Sequence, residues 1–287
     1  LKNGEGDTVL VRTDLDALPV TEETGLPYAS KATTKDDEGT TVGVMHACGH
    51  DVHMTCLVGV ARWLAAHKDQ WSGTVVLIGQ PAEERTGGAS AMLAEGLYTR
   101  FPKPKHALAL HVAHDLETGR VGYLAGPAMA SATSVDVFVR GRGGHGAMPQ
   151  NTVDPIVLAA LLVLDLQTIV SREVSPIDPA VVTVGSIHGG TKHNIISDEV
   201  HMQLTIRAFS EKVRAQLIDG IKRRAEALAI AHRAPAPKVT VSEGTPPTIN
   251  TPRLVDRVVP ALKQALGADQ VEEVEQENDD EVANITQ

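Results

Sequence analysis

The segment His46-Ala47-Cys48-Gly49-His50-Asp51-Val52-His53 brings a thiol and three imidazoles within eight positions of one another. A thiolate beside imidazoles suits zinc and its borderline-soft neighbours. An isolated cysteine or histidine is more often a small buried hydrophobe or a surface group, but four such residues at this density favour a metal site. A second cluster, Gln80-Pro81-Ala82-Glu83-Glu84-Arg85, sets adjacent carboxylates directly after an apolar run. Such charges repel unless a cation or a shared proton compensates them. With a cation present, one carboxylate can bind metal while the other faces a substrate and moves protons. A Glu-Glu pair alone is usually solvated surface, so its place in the chain matters more than its composition. His111 closes Ala107-Leu108-Ala109-Leu110-His111-Val112, and Asp14 and Asp16 follow the apolar run 8–12. These read equally as a satisfied histidine at a sheet edge and as turn residues, yet a buried aspartate is also the usual partner that orients a ligating histidine.

The elements that would position these residues alternate. Short β-rich runs at 8–12, 74–80 and 107–112 are interleaved with helical patterns at 52–67 and 88–97, which argues for an α/β sheet with helices on its faces. Each run ends in a candidate ligand or base, and the carboxyl ends of strands are where sites assemble in open α/β sheets. From about residue 126 the order becomes strand 131–142, helix 154–171, strands 180–188 and 199–209, helix 210–232 and strand 237–242. That is the split βαβ, ferredoxin-like order, read here as an inserted second domain. Pro127 and residues 233–237 are the expected hinges. A last helix over 251–266, with Pro260 as a flaw in its pattern, would return to the first domain. The expected division is 1–125 and 238–287 for the catalytic domain and 126–237 for the insert.

With 26 basic against 36 acidic residues in 287, the formal net charge is -10 and no Lys/Arg cluster interrupts it. A phosphate backbone or an anionic lipid surface is repelled by that balance, so no nucleic-acid partner is expected. No uninterrupted apolar run reaches the roughly 20 residues of a membrane span. No membrane partner is expected either. The two cysteines, Cys48 and Cys56, cannot build a disulfide framework and suit a metal or buried role. The chain opens at Leu1 with no signal-like segment. Its expected location is the cytoplasm, and its N-terminus reads as truncated.

Further motifs complete the pattern: Gly-Gly-His-Gly-Ala-Met-Pro at 143–149, Asp154-Pro155, and Gly-Gly-Thr-Lys-His-Asn-Ile-Ile at 189–196. Together with Arg-Thr-Asp-Leu-Asp-Ala-Leu-Pro at 12–19, the cysteine-histidine motif, Gln-Pro-Ala-Glu-Glu and Leu-His-Val, they resemble amidohydrolases of the aminoacylase, hippurate-hydrolase and auxin-conjugate-hydrolase type. These lie within the cocatalytic zinc carboxypeptidase family, peptidase M20. The resemblance runs from about residue 8 to about residue 250 and implies a zinc-exopeptidase-like catalytic domain carrying an inserted ferredoxin-like α+β lid and dimerisation domain.

Residue by residue, the resemblance implies that Cys48, His50, Glu84 and His111 hold two divalent cations, zinc, manganese, nickel or cobalt. Glu83 would be the general base and Asp16 would support the site. His145 would help polarise the scissile carbonyl, while Asn194 and Arg207 would hold the substrate's carboxylate end. The expected reaction is hydrolysis of the amide bond of an N-acyl amino acid or small peptide, by a homodimer joined through the inserted domain. The alternatives are an inactive metal- or metabolite-binding relative, and an aminopeptidase, which would need an acidic group for a free amino terminus. Two departures from the family stand out. Ser197 replaces a common proline, and the family's last metal-binding histidine is not reached, so the natural chain is expected to continue past Gln287. Residues 277–287 resemble the family's Glu-Asp-Phe segment.

Overall fold

The computed structural model describes residues 1–242 and 244–275 and the backbone of 285–286. Residues 276–281 of the acidic stretch and the Glu-Asp-Phe-like segment therefore lie outside the described residues, apart from that two-residue backbone. The chain is a mixed α/β fold of two compact units, one formed by 1–128 with 249–275 and the other by 129–248.

In the first unit, strands β1 (Thr8–Asp14), β2 (Gly73–Gln80) and β3 (His106–Ala109) run parallel, with β1 in the centre. Two-residue edges at Lys2–Asn3 and Ile285–Thr286 pair antiparallel on either side. Parallel neighbours need a crossover, and helix α1 (His50–Ala66) lies in the crossover between β1 and β2. The register sets Asp14 opposite Gln80, while β3 ends with Ala109 opposite Arg12. All three strands therefore release their chains at one edge. The expected strand 107–112 stops at Ala109, because Val112 gives its N–H to the His53 ring instead of a ladder partner. The expected helix 88–97 is likewise divided, into α2 (Gly88–Ala94) and a short turn of helix from Leu97, at Gly96 with its φ of 92°.

The second unit holds β4 (Ser131–Arg140), α3 (Pro155–Arg172), β5 (Ala180–Gly189), β6 (Glu199–Ala208), α4 (Glu211–Ala231) and β7 (Lys238–Ser242). Its antiparallel sheet has the order β5-β6-β4-β7. Each helix starts where the sequence supplies a cap: Asp154 accepts the Ile156 N–H ahead of Pro155, and Ser210 accepts that of Val213. Inward-facing Val135, Val137, Met202 and Ile206 meet Leu158, Leu162, Leu166 and Ile169 of α3 and Leu217 and Ile221 of α4 in one core. Gly220 permits this approach, since a Cβ there would lie 3.1 Å from Ile169 Cδ1. By length and composition α3 could cross a membrane, but its Leu158, Leu162, Leu166 and Ile169 are buried in this core.

Residues 233–237 are not a hinge between units. Strand β7, which follows them, pairs with β4, so the second unit continues to Thr248, past the expected return at 238. Helix α5 (Pro252–Leu266) then lies on the first unit and buries Leu254, Val255 and Val259. It runs unbroken through Pro260, an exposed position where the unmatched carbonyl of the preceding turn can be hydrated. Cys56, expected to be buried or bound to metal, is exposed on α1. It sits six residues from His50, which turns it to another face of the helix.

Leu166 is fully buried and Ile177 is 85% exposed. Leu166→Ala is expected to lower unfolding free energy by about 3 kcal/mol, and Ile177→Ala to stay within about 0.5 kcal/mol. Urea midpoints of the two variants check this, and equal shifts would contradict the core assignment.

Candidate metal centre

Gly49 opens α1 with a left-handed φ of 75°, and a Cβ on it would lie 2.4 Å from Val112 Cγ2. Glycine is therefore required twice, for the backbone turn and for the close seat of Val112. The seam brings the α1 amino end against the segment after β3, with Cys48 Sγ 3.3 Å from His111 Nε2. His111 Nδ1 donates to the Val112 carbonyl at 2.7 Å, and His50 Nδ1 donates to the Asp16 carbonyl at 2.9 Å. The second nitrogen of His111 faces Cys48 Sγ and that of His50 faces carboxylates, the orientation expected of ligating histidines. His46 Nδ1 reaches the same Asp16 carbonyl at 3.1 Å.

The Glu83–Glu84 loop is held by unusual backbone geometry. Ala82 and Thr86 on either side have φ of 49° and 55°, values that cost a non-glycine residue about 1–2 kcal/mol each. The N–H groups of Gly87 and Gly88 both close on the Ala82 carbonyl, and Gly88 has no room for a Cβ beside Pro81. Asp16 Oδ2 accepts the Glu84 N–H at 3.1 Å. Asp16 thus orients His50 through its backbone carbonyl and the glutamate loop through its carboxylate.

His50 Nε2 is buried and has no hydrogen-bond partner among the described residues. Around it lie Asp14 Oδ2 and Glu84 Oε1 at 3.8 Å and Glu83 Oε2 at 4.0 Å. These gaps are too long for hydrogen bonds, yet one cation with bonds of about 2.0–2.2 Å could reach both sides of each. Donor atoms of Cys48, His50 and His111 lie within 4.8 Å of one another, as do those of His50, Glu83 and Glu84 and those of Asp14, His50 and His53. A set of sulfur, imidazole and carboxylate donors around an orphaned imidazole nitrogen fits a divalent transition metal. Burial, and after it the neighbouring Glu84, pushes the Glu83 carboxyl above the usual range against the pull of Arg12. That direction suits a group that accepts and returns a proton.

The sequence offered Asp14 as a turn residue or as a carboxylate that orients a histidine, and His53 as one imidazole of the cysteine-histidine cluster. In the structure they form a buried pair, His53 Nδ1 to Asp14 Oδ1, 2.7 Å long. Arg12 Nη1 bonds the other Asp14 oxygen at 2.9 Å.

The remaining candidates belong to the second unit. His145 pairs with Ile195 in a short ribbon, and Gly146 donates to the Asn194 carbonyl at 2.8 Å, so His145 and Asn194 are brought together. The Ala147 N–H donates to His145 Nδ1 at 3.1 Å, which in the neutral ring leaves the proton on Nε2 as an outward donor. Asp198 secures this loop, accepting the N–H groups of Gly141 and Gly143 at 2.7 Å each. Arg207 lies near the other end of β6 from Asp198 and donates to Thr205 Oγ1 at 2.7 Å. The second unit does not join it to the His145–Asn194 pair.

A family model described as peptidase family M20/M25/M40 matches residues 10–280. The chain is 38% identical over 261 residues to N-acetyl-L-cysteine deacetylase of Bacillus subtilis, covering 91% of this chain and 60% of that protein. It is 36% identical over 259 residues to thermostable carboxypeptidase 1 of Saccharolobus solfataricus, covering 90% of this chain and 63% of that one. The chain thus spans less than two thirds of the length of these relatives. Among solved structures, the YXEP protein of Bacillus subtilis, described as a dinuclear metal-binding peptidase of the M20 family, superposes with a TM-score of 0.80 at 29% identity. That match covers 98% of this chain and 68% of the other.

Gly49→Ala is expected to lower stability by about 2 kcal/mol or more, about 1 kcal/mol of it from the left-handed backbone and the rest from the clash with Val112. Adding Val112→Ala should recover the second part. Denaturant unfolding of both variants measures it, and a double variant no more stable than the single one would discard the contact as the cause.

Proposed function

The chain belongs to peptidase family M20/M25/M40, and from that membership and the donor cluster at the strand ends we propose that it is a metal-dependent amidohydrolase acting on N-acyl amino acids or small peptides. The observation that carries the reading is the buried His50 Nε2, faced by three carboxylates and lying in one cluster with Cys48 and His111. Cys48, His50, Glu84 and His111 hold two divalent cations of the zinc, manganese, nickel or cobalt type. When bound, such cations polarise the scissile carbonyl and lower the pKa of a water from about 16 toward about 7.

Glu83 takes the proton of the attacking water and returns it to the leaving amine; its burial keeps it basic enough for both steps. Asp16 fixes His50 and the glutamate loop, so base and ligands stay in register. His145 donates from Nε2 to the developing oxyanion. Asn194 and Arg207 take the substrate's carboxylate end, and an arginine suits a carboxylate because its planar fork can bond both oxygens. These three roles rest on the motif resemblance. The relatives' names, a deacetylase of an N-acetyl amino acid and a carboxypeptidase, support a substrate with a free carboxylate.

The second unit acts as lid and as dimerisation domain. Support for a dimer comes from α3, whose outer face shows Val157, Leu161 and Leu164 to solvent at helical spacing, and from β5, one of the two edge strands, with Val181 exposed. An open strand edge beside an apolar helix stripe is suited to pairing with its own copy.

Glu83→Gln is expected to keep its metal and lose kcat by about 100-fold or more, because the ligands stay while the proton carrier goes. Elemental analysis beside hydrolysis of hippurate and N-acetyl amino acids checks it; near-normal kcat would remove Glu83 from the mechanism. Amino-acid anilides cleaved in preference to these substrates would favour the aminopeptidase reading. Leu164→Asp is expected to convert dimer to monomer in sedimentation velocity without loss of secondary structure. A wild type that sediments as a monomer would refute the dimer.

A further inference from the structure

We propose that His53 is a positioning residue, a neutral imidazole that holds His111 against Cys48 through the backbone of Val112 and takes no metal itself. The inference rests on the metal reading above. His53 lies one turn along α1 from His50, and both rings are buried. In His50 and His111 one nitrogen is committed to a backbone carbonyl and the other is turned toward the donor cluster. In His53 both are committed to the protein.

Its Nε2 accepts the Val112 N–H at 2.9 Å, which requires a lone pair there. The ring proton therefore sits on Nδ1 and is donated to Asp14 Oδ1 at 2.7 Å. Asp14 is anchored in turn by Arg12, so the strut is rooted in the central strand. On the far side, the Val112 carbonyl accepts from His111 Nδ1 at 2.7 Å and aims His111 Nε2 at Cys48 Sγ, 3.3 Å away. One residue, Val112, thus carries the strut's bond on its N–H and the ligand's bond on its carbonyl. The His53 and His111 rings also meet edge to face, 4.5 Å between centroids, so a shift of one displaces the other.

Two substitutions separate the halves of the strut. His53→Gln puts an amide oxygen near the place of Nε2, keeping the Val112 bond and giving up Asp14. His53→Asn puts its amide near the place of Nδ1, keeping Asp14 and giving up Val112. Equilibrium dialysis with zinc is expected to show the Asn variant weakened about 10–100-fold and the Gln variant closer to wild type. On the wild type, imidazole 15N spectra during zinc titration should move His50 and His111 while His53 stays protonated at Nδ1. A zinc-dependent shift at His53 Nε2 would overturn the proposal by making it a ligand, as would an Asn variant with unchanged affinity or equal losses in both. If wild type takes up no zinc, the metal reading falls with the strut. If it binds zinc and only the variants disobey, the strut alone falls. The spectra need no variant to fold.

Discussion

A carboxylate buried at the end of a parallel strand must have its oxygens bonded, since an unpaired buried charge costs several kcal/mol. Asp14 meets that condition at the end of β1. Burial by itself would raise its pKa, but the His53 hydrogen bond and the Arg12 charge bring it below the usual carboxylate range. The partners that meet this need also hold the first unit's site together. Arg12 bonds Gln80 across the strand pair as well, and His53 fixes the first turn of α1 beside the segment that carries His111. The carboxyl ends of three strands, the helix start at Gly49 and the glutamate loop are thereby brought to one place. Among the described residues His50 Nε2 is left facing carboxylates without a hydrogen bond, an arrangement suited to a cation.

The second unit answers a different constraint. A four-stranded antiparallel sheet needs only one face covered, and α3 and α4 cover one. The other face carries polar residues such as Asp136, bonded to His201 at 2.6 Å, with Phe138 stacked on the same imidazole. Loops at one end of this scaffold hold His145 and Asn194 through backbone bonds. Glycines there give close approach: a Cβ on Gly143 would meet the Ile196 carbonyl at 2.7 Å. A motif rich in glycine around one histidine reads, in the structure, as backbone packed on backbone with the imidazole turned outward.

Most element types were legible because their patterns are strong. The strand runs at 8–12 and 74–80, the helix starts near Asp154 and Ser210 and the order of the second unit correspond to what the chain forms. The departures share a cause. The third strand is shorter than its apolar run, since side chains from elsewhere claim the backbone beyond Ala109. The second unit extends past residues 233–237, since β7 finds its partner in β4 about a hundred residues earlier. Proline and glycine mark where regular structure can stop, but pairing across the sheet decides where it does.

The sequence by itself brought Cys48, His50, Glu83, Glu84 and His111 forward as candidates, from a dense cysteine-histidine cluster and from a carboxylate pair and a histidine at the ends of apolar runs, while their separate roles came from the motif resemblance. It also determined the mixed α/β class, through alternating apolar periods. Residue type and spacing did not separate the three histidines at 46, 50 and 53, which share one side chain and one motif, and only the resemblance pointed to His50. The tertiary structure sets His53 apart from the other two, whose Nδ1 atoms both reach the Asp16 carbonyl. An imidazole with one nitrogen committed to the protein can still bind a metal, and one with both committed cannot. Which case applies depends on Asp14 and Val112, 39 and 59 residues from His53, brought to it only by the fold.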